Sequence, residues 1–217
     1  MIERSKATDR VKSLVVAAIL LAVPLAALAH QGLYEAKDTT GPDDAIELVK
    51  PHVSYAAYMG LDRPGDVDWV RFEVDSPMKL KASLLVPQRP EFLDFYPAFA
   101  VVGPGLPAPE ADLPFDLPEG CGAAVLISEP KAEREKFHEP FSNTHYYRGF
   151  EEFEQEVTVP GTYYIVVWHP AGEYGDYVVT YGEKESFTTR EMINTYRVIY
   201  KVWTGKWGRT RGGADSE

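Results

Sequence analysis

Apolar residues recur at every second position along much of this chain, the period of strands that bury one face. From Met78 to Val86, Met78, Leu80, Ala82, Leu84 and Val86 fall on one face while Lys79, Lys81 and Ser83 fall on the other. Within Val67–Asp75, Val70, Phe72 and Val74 share a face, with Asp68, Arg71, Glu73 and Asp75 as polar positions around them. Phe153–Val159 alternates in the same way, and Ser54–Leu61 and Ala123–Ile127 are further predicted strands. Pro97–Gly103 is apolar throughout, the pattern of a strand buried on both sides. Near the C-terminal end, Val157–Tyr181 holds two runs of β-branched and aromatic residues, Thr162–Trp168 and Asp176–Tyr181. The turn-rich His169–Gly175 joins them, so they are predicted to pair as a β-hairpin.

Between these strands no periodic segment is long enough for a helix. The expected fold is all-β, a single antiparallel β-sandwich or jelly roll of about eight strands over residues 45–184. Residues 30–44 are polar and are expected to run extended along the surface. Pro104–Gly122 carries five prolines, and this density predicts a stiff, ordered excursion. Glu129–Phe150 is the least regular part, with one helical turn expected at Lys131–Phe137 and an aromatic-rich loop after it.

The phrases GDVDWVRFEV, VPGTYYIVVW and GDYVVTYG resemble the bacterial pre-peptidase C-terminal domain family. The similarity covers about Ser54–Gly182, and its pieces are an Asp-rich turn entering a strand and a closing hairpin with Gly-Thr-Tyr-Tyr and Gly-Asp-Tyr. The resemblance implies a β-sandwich without catalytic function, an accessory or binding module that in some members takes calcium. The Pro-rich loop and the long 129–150 segment depart from the family's pattern.

Two ends of the chain differ from this body. Arg4, Lys6, Arg10 and Lys12 precede the apolar run Leu14–Leu28, and Ala27-Leu28-Ala29 supplies small residues for cleavage. Residues 1–29 are therefore read as a secretory signal peptide removed after Ala29, with the periplasm or cell envelope as destination. Residues 30–187 hold 12 Lys/Arg against 28 Asp/Glu, whereas 188–217 hold six against three. An acidic body argues against a nucleic-acid partner. Cys121 has no second cysteine to bridge within the chain and reads as a small packed residue.

Residues 185–217 are read as a basic amphipathic helix and a disordered tail. Thr188 and Glu191 form a capping box, and Phe187 can staple against Met192. Met192, Tyr196, Ile199 and Trp203 then recur at helical spacing, with Trp207 beyond them, opposite Arg190, Asn194, Arg197 and Lys201. Such a helix docks on the sandwich, lies on an anionic membrane surface, or enters a partner's groove.

Three groups of residues offer chemistry. Asp62, Asp66 and Asp68 cluster at a turn, where closely spaced carboxylates suit calcium. Cleavage after Ala29 would free the amino group of His30, which with its imidazole and a second histidine, His138 or His145, could chelate copper. Ser142 and His145 offer a nucleophile and a base, but no G-x-S-x-G elbow or orienting acid accompanies them. The sequence therefore favours an exported non-catalytic module that binds a protein or glycan, with its helix against a membrane or partner. A periplasmic copper-binding protein built on His30 is the alternative.

Overall fold

The computed structural model describes residues 30–204 apart from 131–132, 140–141, 150–151, 183 and 187. The expected signal peptide and Trp207 therefore lie outside the described residues. Twelve strands are present among those described: β1 (Gln31–Tyr34), β2 (Ile46–Leu48), β3 (Tyr55–Leu61), β4 (Val67–Val74), β5 (Met78–Pro87), β6 (Ala98–Pro104), β7 (Cys121–Leu126), β8 (Lys136–Glu139), β9 (Thr144–Arg148), β10 (Phe153–Val157), β11 (Gly161–Trp168) and β12 (Gly175–Tyr181). One helix, α1 (Thr189–Trp203), follows them.

The strands form two sheets. The larger runs β1-β3-β12-β5-β9-β8, with β10 sharing the outer edge of β5, and the smaller runs β2-β4-β11-β6-β7. Their inner faces meet in a core that includes Met59, Leu61, Val70, Phe72, Leu80, Leu84, Phe99, Ile165, Tyr177 and Val179. All pairs are antiparallel except β1 with β3 and β2 with β4, which are parallel and lie at the sheet edges. The all-β sandwich expected from the periodicity is present. Its eight expected strands correspond to β3–β7 and β10–β12, while β1, β2, β8 and β9 are additional.

The predicted hairpin at 157–181 is not one. β11 pairs with β4 and β6 in the smaller sheet, and β12 pairs with β3 and β5 in the larger. The connection at 169–174 crosses from one sheet to the other. Both strands are apolar on both faces, so each demands two strand neighbours and two covered sides, and pairing with each other would not supply them.

Two further expectations fail for a shared reason. Residues 30–44 do not simply lie on the surface, because β1 adds to the edge of the larger sheet with Gln31 and Gly32 buried. In place of a helical turn reaching Phe137, Lys136–Glu139 forms β8, which folds back on β9 through a turn at Ser142-Asn143. Asn143 has φ 49°, a left-handed conformation that asparagine tolerates well. In each case the strand is short and gains its stability from the neighbour, so local propensity does not reveal it.

Both outer faces are partly covered. Over the smaller sheet, Phe115 of the Pro-rich loop meets Trp69 edge-on at 5.0 Å and Trp168 at 5.5 Å. Gly122 fixes that loop: a Cβ there would stand 2.1 Å from the Leu106 carbonyl oxygen and 2.3 Å from that of Pro107. Over the larger sheet lies α1. Its capping box is formed as expected, with Thr188 Oγ1 accepting from the Glu191 N–H and the Glu191 carboxylate accepting from the Thr188 N–H.

The face α1 buries is rotated from the expected one. Thr195, Val198, Ile199 and Val202 point inward, against Ala56, Tyr58, Leu85 and Val178. Met192 and Tyr196 flank this face, and Trp203 is 64% exposed. The rotation follows from how closely the helix approaches β1. Gly32 leaves room for Val198 and Thr195, whose atoms would lie 3.2–3.3 Å from a Cβ at that position. The Gly32 N–H donates to Thr195 Oγ1 at 3.0 Å, and Asn194 Nδ2 donates to the Gly32 carbonyl at 3.2 Å. A seat this tight takes threonine and valine and excludes aromatic rings.

Candidate metal centre

Asp68 stands on the inward face of β4, two residues before Val70, so the strand that builds the core also carries a carboxylate into it. It is 1% exposed, and its Oδ2 accepts a 2.6 Å hydrogen bond from the fully buried Tyr177 hydroxyl of β12. Two acidic residues from the stretch after β1 join it. Glu35 is buried and accepts from the Gly60 N–H at 3.2 Å. Asp38 is half-buried and pairs with Arg63 at 2.6 Å. One ligand oxygen each from Glu35, Asp38 and Asp68 can be chosen so that all lie within 4.8 Å of one another. That separation is about twice a calcium–oxygen distance of about 2.4 Å, so the three oxygens can share one ion.

The turn at 62–66 forms the rim. Asp66 is buried, its Oδ2 accepts from the Asp62 N–H at 2.6 Å, and its Oδ1 lies 3.0 Å from the Arg63 guanidinium. Of the three carboxylates that the sequence proposes for calcium, Asp68 is a direct member of the cluster. Asp66 abuts it, and Asp62 contributes to the turn that holds Asp66. The sequence pattern does not point to Glu35 and Asp38, because the polar stretch carrying them predicts a surface segment. Their spacing of three residues, straight after an apolar tyrosine, is the only local sign of them.

The electrostatics fit a cation. Asp68 Oδ1 and Asp38 Oδ1 are buried and accept no hydrogen bond. Burial, followed by the neighbouring Glu35 charge, pushes the Asp68 carboxyl up to about 9. A buried oxygen without a donor is costly unless something positive faces it. Arg63 meets only part of this need, since its guanidinium reaches Asp38 and Asp66 and its side chain is 55% exposed. An all-oxygen set of carboxylates suits a hard ion such as Ca²⁺ over a softer one.

The histidines are arranged otherwise. His30 Nδ1 is hydrogen-bonded to Ser54 Oγ, which occupies the ring nitrogen that a copper chelate with the neighbouring amino group would use. Burial lowers the His30 pKa, against opposing contributions from Glu139 and Glu185. His169 stacks on Phe95 at 5.3 Å, and its Nδ1 accepts from the Ala171 and Glu173 N–H groups, so it organises the crossing between sheets. His52 is exposed. His138 and His145 face each other across β8 and β9. Ser142 is fully buried, whereas His145 is exposed with its ring against that of His138.

The chain is thus a two-sheet β-sandwich with a C-terminal helix over one face and an acidic cluster at one end. No protein-family profile and no curated protein sequence matches it. Among solved structures it is similar to the pre-peptidase C-terminal domain of a collagenase from Bacillus anthracis, at 15% identity and TM-score 0.36, over 66% of this chain and 99% of that one. It is also similar to the secreted protein MopE of Methylococcus capsulatus, described as copper-binding, at 13% identity and TM-score 0.27, over 70% of this chain and 93% of that one. The first is the family whose motifs the sequence resembles. The architecture rests on the strand pairing above, and neither likeness assigns a function. No helix among the described residues is long and apolar enough to cross a membrane.

Proposed function

We propose that this protein is an exported, non-catalytic β-sandwich binding module whose N-terminal segment is fastened to the sandwich by calcium. The observation that supports it is the meeting of Glu35, Asp38 and Asp68, with Asp38 Oδ1 and Asp68 Oδ1 buried and accepting no hydrogen bond. The ion would tie residues 35–38 to β4 and so hold β1 and β2 against the two sheets. Its role there is structural: it would neutralise charge and organise the chain. Export is supported by the basic, apolar and small-residue order of residues 1–29. Calorimetric titration of chelated protein with Ca²⁺ tests the site. Saturable binding at one equivalent is expected for the wild type and loss of it for Asp68→Asn. Unchanged binding by that variant would refute the assignment.

A second reading concerns α1, favoured by what its outward side displays. Ile193, Tyr200 and Trp203 are 49%, 62% and 64% exposed, and Arg190 and Arg197 are exposed beside them. An apolar–aromatic stripe next to cations suits the headgroup region of an anionic bilayer. The acidic body would face away from that surface. Co-sedimentation with phosphatidylglycerol vesicles is expected, reduced several-fold by Tyr200→Ser with Trp203→Ser. Equal partitioning of the double variant would exclude this contact.

A further inference from the structure

We infer that His138, His145 and Asn143 form a second metal site, for a borderline divalent ion such as Cu²⁺ or Zn²⁺. It stands on the β8–β9 hairpin, built from different residues than the carboxylate cluster, and does not depend on the calcium reading. His138 and His145 are direct partners in the antiparallel register. Residues so placed hold their Cβ atoms about 5 Å apart, on the same side of the ribbon. Alternation sends Phe137 and Tyr146 toward the sandwich and leaves both imidazoles exposed.

The ring positions match shared ligation. The two imidazole centroids are 4.6 Å apart with 32° between planes. Two imidazoles bound to one ion at metal–nitrogen distances of about 2.1 Å hold their centroids roughly 4.5–5 Å apart when the angle at the metal is between square and tetrahedral. Ligand approach therefore needs little rearrangement of the hairpin.

Asn143 supplies the independent observation. His138 Nε2 lies 3.0 Å from Asn143 Oδ1. An amide oxygen only accepts, so Nε2 carries the proton and the lone pair is left on Nδ1. Metal-bound histidines ordinarily donate their other ring N–H to a carbonyl or carboxylate in this way, which fixes the tautomer and the ring. The left-handed backbone of Asn143 brings that amide back toward His138 within a tight turn. Two nitrogen ligands and water complete a site open to solvent, with imidazole selecting Cu²⁺ or Zn²⁺ over Ca²⁺.

The test is titration of the full chain with CuCl₂ and ZnCl₂ in saturating Ca²⁺, together with electron paramagnetic resonance of the Cu²⁺ form. Expected is one ion per chain, with hyperfine structure from two imidazole nitrogens. His138→Phe and His145→Phe keep a ring in place and are expected to lower affinity at least 100-fold. Asn143→Gly keeps the left-handed backbone but removes the amide, and is expected to lower affinity about 10–100-fold, the range for such supporting hydrogen bonds. His30→Ala and Asp68→Asn are expected to bind as the wild type does. Wild-type affinity in His145→Phe would overturn the inference. So would loss of binding in His30→Ala or in Asp68→Asn, which would place the ion at the chain's N-terminal side or in the carboxylate cluster.

Discussion

Adding about 10 mM Ca²⁺ to the chelated protein raises its melting temperature by roughly 5–10 °C, and Asp68→Asn abolishes the rise. Calcium sites of extracellular modules have dissociation constants near 10⁻⁴ M, so this concentration exceeds the constant about a hundredfold. Ligand binding to the folded state alone then contributes about 2.7 kcal/mol. In a domain of 150–250 residues each kcal/mol moves the midpoint by about 2–4 °C. Differential scanning calorimetry reads the shift directly, and a full shift in Asp68→Asn would remove the cluster from consideration.

The same measurement has a pH signature. In the metal-free protein Asp68 keeps its proton up to about pH 9, whereas the unfolded chain gives it up near pH 4. The folded state is thus the one that binds more protons between those values, and this contribution falls as pH rises through that window. Calcium competes with the proton, so its stabilising effect is larger at pH 8 than at pH 5. Asp68→Asn, which need not take up a proton to enter the core, melts higher than the metal-free wild type at pH 8. A calcium shift of equal size at both pH values would contradict this account.

The second large effect concerns the seat of α1. Val198→Asp is expected to undock the helix, because it places an unpaired carboxylate against Ala56, Tyr58, Leu85 and Val178. The cost exceeds about 3 kcal/mol if the helix stays docked. Release from the sheet limits that cost to the free energy of docking. Amide hydrogen exchange should therefore show protection lost over residues 189–203 while β11 and β12 keep theirs. Ile193→Asp, on the outward side, should leave both protection and melting temperature nearly unchanged, within about 0.5 kcal/mol. Equal effects from the two substitutions would mean that the buried face is wrongly assigned.

Much of the sandwich was legible because its central strands carry strong alternation or unbroken apolar runs. Those of β4, β5 and β6 alone dictate two buried layers. Pairing was less legible. The 162–181 stretch has the composition of a hairpin, yet its two halves belong to different sheets, and only the neighbours β4, β6, β3 and β5 decide that. β1 and β2 are short and partly polar, with no periodicity to announce them. The candidate metal centre was half legible for the same reason: Asp68 could be suspected from its turn, whereas Glu35 and Asp38 acquire meaning only when β1 is placed. On α1, hydrophobicity alone chose the aromatic stripe, while packing against Gly32 chose the smaller residues beside it.

The parallel placement of β1 and β2 has a consequence for self-association. These two strands come from one stretch of eighteen residues and end both sheets on the same side of the sandwich. Behind them β3 and β4 present rows of main-chain donors and acceptors that would otherwise face solvent. Glu35 and Asp38 sit in the span between the two strands. Calcium would thus clamp a cover over two open edges at once, and its loss would offer both to a neighbouring molecule's first strands. An ion bound there would, in steadying the fold, also keep the chain from exchanging strands with its own copies.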